Sequence, residues 1–228
     1  MSEFKGFPEA TFRFLAGITA NNHKTWFEQN RADYEAGYIE PAKAFVSAVG
    51  PALQAFAPDV RFEPKVGGSL MRIFRDVRFS KDKSPYKTHL DAWFRMGEER
   101  GFCRPGFFFR LTADRVMLGA GMHELPKEVV EAYRTAVLDN RKGPALERAL
   151  ASIREAGPYQ VGAPERAKVP RGFDASHPRA ELLRHDGLHA GYEVAIPPEA
   201  RTSAFPEWCA RHFQAVSPVS RWLAEALA

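Results

Sequence analysis

The spacing of hydrophobic residues first changes at Gly67-Gly68, and that change restricts the chain to folds with a helical N-terminal third followed by a sheet. Before it, Phe12, Leu15, Ala16 and Ile18 recur at helical spacing behind Pro8, which suits a first helical turn. Asn22 is placed to cap a second helix that carries Trp26, Phe27 and Tyr34 and ends near Gly37. Pro41 opens a third, with Phe45, Val46, Val49, Leu53 and Phe56 on one stripe and a kink or break expected at Gly50-Pro51. After the change, "SLMRIFR" (69–75), "LDAWFR" (90–95), "GFFFRL" (106–111) and "RVMLGAG" (115–121) read as strands, with Ala113-Asp114 as a short hairpin turn. Residues 126–140 and 144–156 return to helix, 156–170 reads as loop, and 171–178 forms a turn into a short helix reaching about Arg184. A strand at 188–196 and terminal helix interrupted at Pro218 complete the chain. This order predicts a single α+β domain on a mainly antiparallel sheet, with a helical N-terminal third and C-terminal helices.

With 228 residues and 45% hydrophobic content, the chain is long enough for a sizeable core and too apolar for disorder. No basic start leads into an apolar run, and nowhere do eighteen apolar residues follow one another, so a cytoplasmic protein without membrane contact is expected. Cys103 and Cys209 belong to no CxxC pair, which predicts two reduced thiols and no structural zinc. The net charge of +4 says little until it is located. Residues 72–95 carry seven basic side chains and three acids, so this one segment holds the excess of the whole chain.

Within a strand at 69–75, Leu70, Arg72 and Phe74 share one face and Met71, Ile73 and Arg75 the other. Arg72 then stands among apolar residues, and a half-buried guanidinium needs a carboxylate, a phosphate or a row of carbonyls. Arg75, Arg78, Lys81, Lys83 and Lys87 follow, with hydroxyls at Ser80, Ser84 and Thr88 and with Pro85 to stiffen the loop. The combination predicts a site for a small molecule bearing phosphate or carboxylate, with neither cofactor nor metal. An enzyme built on it would move a proton with His89 or with one of Asp76, Asp82 and Asp91. The competing reading is a solvated loop whose lysines protect a sheet edge while Asp76 and Asp82 neutralise neighbours. Two further alternatives are nucleic-acid binding through the loop and a non-catalytic module that docks an acidic partner protein.

Other chemistry-bearing residues give weaker signals. His185 and His189 lack a third ligand, and His177 with Asp174 and Ser176 suits a closed turn. Gly119 and Gly121 fit a tight turn from strand to helix. Trp26, Phe27, Trp93 and the Phe107–Phe109 run suit the core.

The run "RIFRDVRFSKDKSPYKTH", together with "FKGFP" (4–8), "NNHKTWFEQNRADYE" (21–35), "GAG" (119–121) and "PRGFDASHP" (170–178), resembles the domain of unknown function 2461 family over almost the whole chain. Phe74 and Ser84 stand where that family commonly has Tyr and Thr. The resemblance implies a single α+β domain and points to the charged segment; it transfers no chemistry.

Overall fold

The computed structural model describes residues 3–98 and 103–227. Helix α1 (Glu9–Ala20) starts behind Pro8 and buries Phe12, Phe14, Leu15 and Ile18. Helix α2 (Lys24–Gln29) is capped by His23, whose Nδ1 accepts the Trp26 amide, and not by Asn22, which serves elsewhere. After Asn30 come a single turn α3 (Arg31–Asp33), a π-helical turn Tyr34–Ile39, and α4 (Glu40–Gln54). Helix α4 continues unbroken through Gly50 and Pro51, where a kink or break was expected. A proline inside a helix costs about 3 kcal/mol. The stripe Phe45, Val46, Val49 and Leu53 is fully buried, and at about 1.5–3 kcal/mol for each such side chain its burial outweighs that cost. The C-terminal helix α7 (Phe205–Ala226) likewise runs on through Pro218.

Strands β1 (Val60–Arg61), β2 (Leu90–Met96), β3 (Gly106–Leu111) and β4 (Arg115–Met122) precede helices α5 (Lys127–Leu138) and α6 (Lys142–Glu155). Strands β5 (Gln160–Val161) and β6 (Leu188–Ala195) follow. They form an antiparallel six-stranded sheet in the order β1-β2-β3-β4-β6-β5, an α+β architecture. The edge register pairs Gln160 with Gly191 and Val161 with Ala190. Burial alternates along β2, where Leu90, Ala92 and Phe94 are buried and Asp91, Trp93 and Arg95 half-buried, as the period-two spacing requires.

Four local expectations are corrected. Residues 69–75 form no regular strand, β5 lies inside the stretch read as loop, and the short helix near Arg184 is a 3-10 turn, Leu182–Arg184. Gly119 and Gly121 lie inside β4 rather than in a turn beyond it. Gly121 has φ +123°, and a Cβ there would stand 2.3 Å from the Leu188 carbonyl oxygen, so close approach to β6 requires glycine.

The chain divides into two compact units, one comprising Met1–Phe94, Phe108–Leu118 and Glu193–Arg211, the other Arg95–Phe107, Gly119–Tyr192 and His212–Ala228. The first contains a phenylalanine cluster in which Phe45 lies 5.4 Å from Phe7 and 4.5 Å from Phe109. Gly6 lets this N-terminal segment lie against backbone, since a Cβ there would meet the Arg201 carbonyl carbon at 2.1 Å. The second unit packs Phe107 against Phe213 at 5.5 Å and Tyr133 against Trp222 at 6.0 Å. Among the described residues no helix is long and apolar enough to cross a membrane.

Candidate functional site

Residues 69–93 fold back on themselves through scattered backbone bonds. The amides of Trp93, Met71, Lys87 and Arg75 donate to the carbonyls of Ser69, Asp91, Ile73 and Pro85, and single bridges join Leu70 to Ala92 and Phe74 to Tyr86. The helical N-terminal third clamps this ragged hairpin at two points. Asn22 spends its whole amide on the Tyr86 backbone, donating Nδ2 to the carbonyl at 2.9 Å and accepting the Tyr86 amide on Oδ1 at 3.0 Å. Phe27 stacks on the Tyr86 ring at 4.4 Å. From the π-helical turn, Tyr38 donates its hydroxyl to the His89 carbonyl at 3.1 Å.

Between these clamps Asp91 of β2 collects three basic side chains. Arg110 of β3 donates Nε to Oδ1 at 2.7 Å and Nη2 to Oδ2 at 3.2 Å. Lys87 Nζ and His89 Nε2 lie 3.2 and 3.1 Å from Oδ2. The Asp91 side chain is only 15% exposed. Burial on its own would raise its carboxyl pKa, but hydrogen bonds and charge from His89 and Arg110 outweigh burial and hold the carboxyl well below the usual range. Asp91 is therefore held as an anion that orients its neighbours. With Nε2 of His89 directed at Asp91, Nδ1 is the ring nitrogen that Asp91 leaves for another partner.

Donors remain after Asp91 is satisfied. Arg110 has five N–H groups and gives two to Asp91, and Lys87 has three and gives one. The Arg110 side chain is 41% exposed, so this surplus reaches solvent. Arg110 was absent from the sequence expectations; its signal was an arginine outward on a strand between the buried Phe109 and Leu111.

The remaining predicted residues are dispersed. Arg72 is exposed and not half-buried, so the premise that it requires a ligand is corrected; the Asp76 carboxylate lies within its electrostatic reach. Arg78 chelates Asp76 through Nε at 3.0 Å and Nη2 at 2.7 Å, and these bonds lower the Asp76 carboxyl. Asp82 accepts the Ser84 amide and hydroxyl at 2.9 and 2.6 Å and Arg75 Nη1 at 2.5 Å, which pulls its carboxyl down to about 2. Both acids help fold the loop through these bonds. Lys83 donates to the Val77 carbonyl at 2.9 Å, Lys81 is exposed, and Ser80 and Thr88 are half-buried. Of the expected wall of cations, Lys87 lies at Asp91, where His89 and Arg110 join it.

The second unit holds the other histidines. His185 follows the 3-10 turn and His189 lies in β6, each with a buried Nδ1 that has no hydrogen-bond partner among the described residues. The His123 ring stands 5.1 Å from that of His189. Among the described residues no group of three His, Cys, Asp or Glu side chains is placed to hold a metal ion. In "PRGFDASHP", Asp174 accepts the Ser176 amide and hydroxyl, and His177 Nδ1 accepts the Arg179 amide. Arg179 in turn donates to the Val137 carbonyl at the end of α5, so this motif serves the fold.

The model of one family, described as conserved hypothetical protein (DUF2461), matches residues 10–222. The chain belongs to this family. Among curated proteins none matches it. Three of the segments that carry the likeness meet in the first unit: Asn22 of "NNHKTWFEQNRADYE" holds Tyr86 of the charged run, and the two phenylalanines of "FKGFP" are buried in that unit's core. DUF2461 membership fixes the kinship of the Asp91 cluster's scaffold and leaves its chemistry to be argued from the geometry.

Proposed function

We propose that Lys87, His89 and Arg110 form a site for the phosphate or carboxylate group of a small molecule in the cytoplasm, with Asp91 holding the three in register. The observation that carries this reading is the imbalance at Asp91, where one half-buried carboxylate faces a lysine, an arginine and a histidine, and the lysine and arginine keep N–H groups that Asp91 does not use. An incoming anion gains charge-assisted hydrogen bonds from a guanidinium already oriented by Asp91, so little side-chain entropy is lost on binding. The chemistry available to such a site is proton transfer at His89 Nδ1 while Lys87 and Arg110 stabilise negative charge. Two free thiols, Cys103 exposed and Cys209 buried, support a reducing compartment.

Calorimetric titration with inorganic phosphate, phosphorylated sugars and dicarboxylates tests the reading. Arg110→Ala and Lys87→Ala should each weaken binding tenfold or more, by about 1.5–3 kcal/mol per charged hydrogen bond. Unchanged affinity in both variants, or no heat from any anion of the panel, refutes it.

A further inference from the structure

Beyond the Asp91 cluster, one large hydrophobic side chain among the described residues of the first unit is exposed almost completely. Phe79, at the tip of the charged loop, is 95% exposed, whereas Phe74 nearby is 51% exposed and packs on Tyr86. The loop that presents Phe79 is internally tied: Arg78 to Asp76, Asp82 to Ser84 and Arg75, Lys83 to the Val77 carbonyl. It therefore offers the ring on a pre-shaped support, and the ordering cost of presenting it is met within the chain.

Charge and ring geometry indicate what the tip meets. Residues 72–83 carry five basic side chains and two acids. Each acid is taken by one arginine, which leaves Arg72, Lys81 and Lys83 without a carboxylate in ion-pair contact among the described residues. The Arg78 guanidinium lies over one face of the Phe79 ring, 5.7 Å from its centroid, and the other face is open. A ring with a cation on one face and water on the other can stack a second planar ring, and cations beside it can follow phosphates. A bilayer fits less well. Sinking Phe79 among acyl chains would carry the Arg78–Asp76 chelate toward the apolar layer and strip its water.

We propose that the loop tip is a docking point for single-stranded nucleic acid, with a base stacked on the open face of Phe79 and neighbouring phosphates on Arg72, Lys81 and Lys83. The stack tolerates any base, because each has a π face, so the site selects for strandedness rather than sequence. With about three phosphates neutralised, a slope of about −0.7 per contact reduces affinity roughly twentyfold between about 50 and 200 mM salt.

The test is fluorescence anisotropy of the full chain with labelled oligothymidine of about a dozen nucleotides, alongside the same sequence as a duplex. Phe79→Ala should weaken binding about fivefold or more, and Phe79→Trp should retain or tighten it. Lys81→Ala should weaken binding and flatten the salt dependence. Neither Phe79 variant should move the melting temperature, since the ring is exposed. Three results overturn the proposal: no oligothymidine binding at low salt, equal binding by Phe79→Ala, or duplex preferred over single strand. Vesicles with anionic lipid give the contrary arm, because Phe79-dependent vesicle binding with no response to oligothymidine would assign the tip to a membrane.

Discussion

Replacing Asn22 with Ala removes the clamp between the N-terminal helices and the charged segment. Asn22 donates to the Tyr86 carbonyl at 2.9 Å and accepts its amide at 3.0 Å, and Tyr86 is only 3% exposed, so water replaces neither bond easily. Each backbone group left unsatisfied costs about 1–2 kcal/mol in a partly buried setting, giving about 2–4 kcal/mol for the pair. For a chain of this size about 1 kcal/mol moves the melting temperature by about 2–4 °C, so a fall of about 5–15 °C is expected by circular dichroism. Asn22→Asp separates the two bonds: the carboxylate still accepts the amide but faces the Tyr86 carbonyl with an acceptor, and it should recover less than half of the loss. Hydrogen exchange adds a local readout, since the Tyr86 amide should lose protection in Asn22→Ala before the Phe109 amide does. A melting temperature within about 1 °C of the parent, or unchanged exchange at Tyr86, would refute the clamp.

The carboxyl of Asp91 is lowered on folding, so its contribution to stability is present above the unfolded value near 3.8 and lost as pH falls through the folded one. Urea unfolding should therefore show stability declining below about pH 5, and Asp91→Asn should flatten that decline. The same variant should destabilise the protein by about 2 kcal/mol at neutral pH, less than for a fully buried pair because its partners are 21–41% exposed. His185 and His189 are lowered from 6.5 by burial, so the unfolded chain takes up protons that the folded chain refuses. Stability should fall as pH drops through about 6.5, and replacing both histidines with Asn should remove that fall. Gly121→Ala meets both a left-handed backbone and the Leu188 carbonyl, so a loss of about 2 kcal/mol or more is expected in thermal melts.

Elements governed by local period were legible in the sequence. The alternation at 90–95, 106–111 and 115–121 became β2, β3 and β4, and the stripe from Phe45 to Leu53 became α4. No helix ends at Pro51 or Pro218, because burial of a helix face overrides the local cost. At 69–75 the alternation was real, but its outer positions are charged or exposed, so pairing reduces to isolated bridges. Within the site, Lys87, His89 and Asp91 were named from one short run, and Arg110 was not. Its partner lies nineteen positions away across a strand pair, a distance local spacing does not encode. Asn22 was read as a helix cap for the same reason, since its partner stands sixty-four positions downstream. Asp76 and Asp82 were candidates for proton transfer because their role in shaping the loop depends on which guanidinium each meets.

The π-helical turn at Tyr34–Ile39 has a consequence for how the site could arise or be lost. Such a turn holds one residue more than an α-turn, and each residue advances a helix by about 100°. Deleting a single codon there would leave α4 intact yet swing Tyr38 about a quarter of the way round the axis, off the His89 carbonyl. One inserted residue in an ancestral helix would have aimed that hydroxyl, and a frame-preserving deletion would undo it without disturbing the helices on either side.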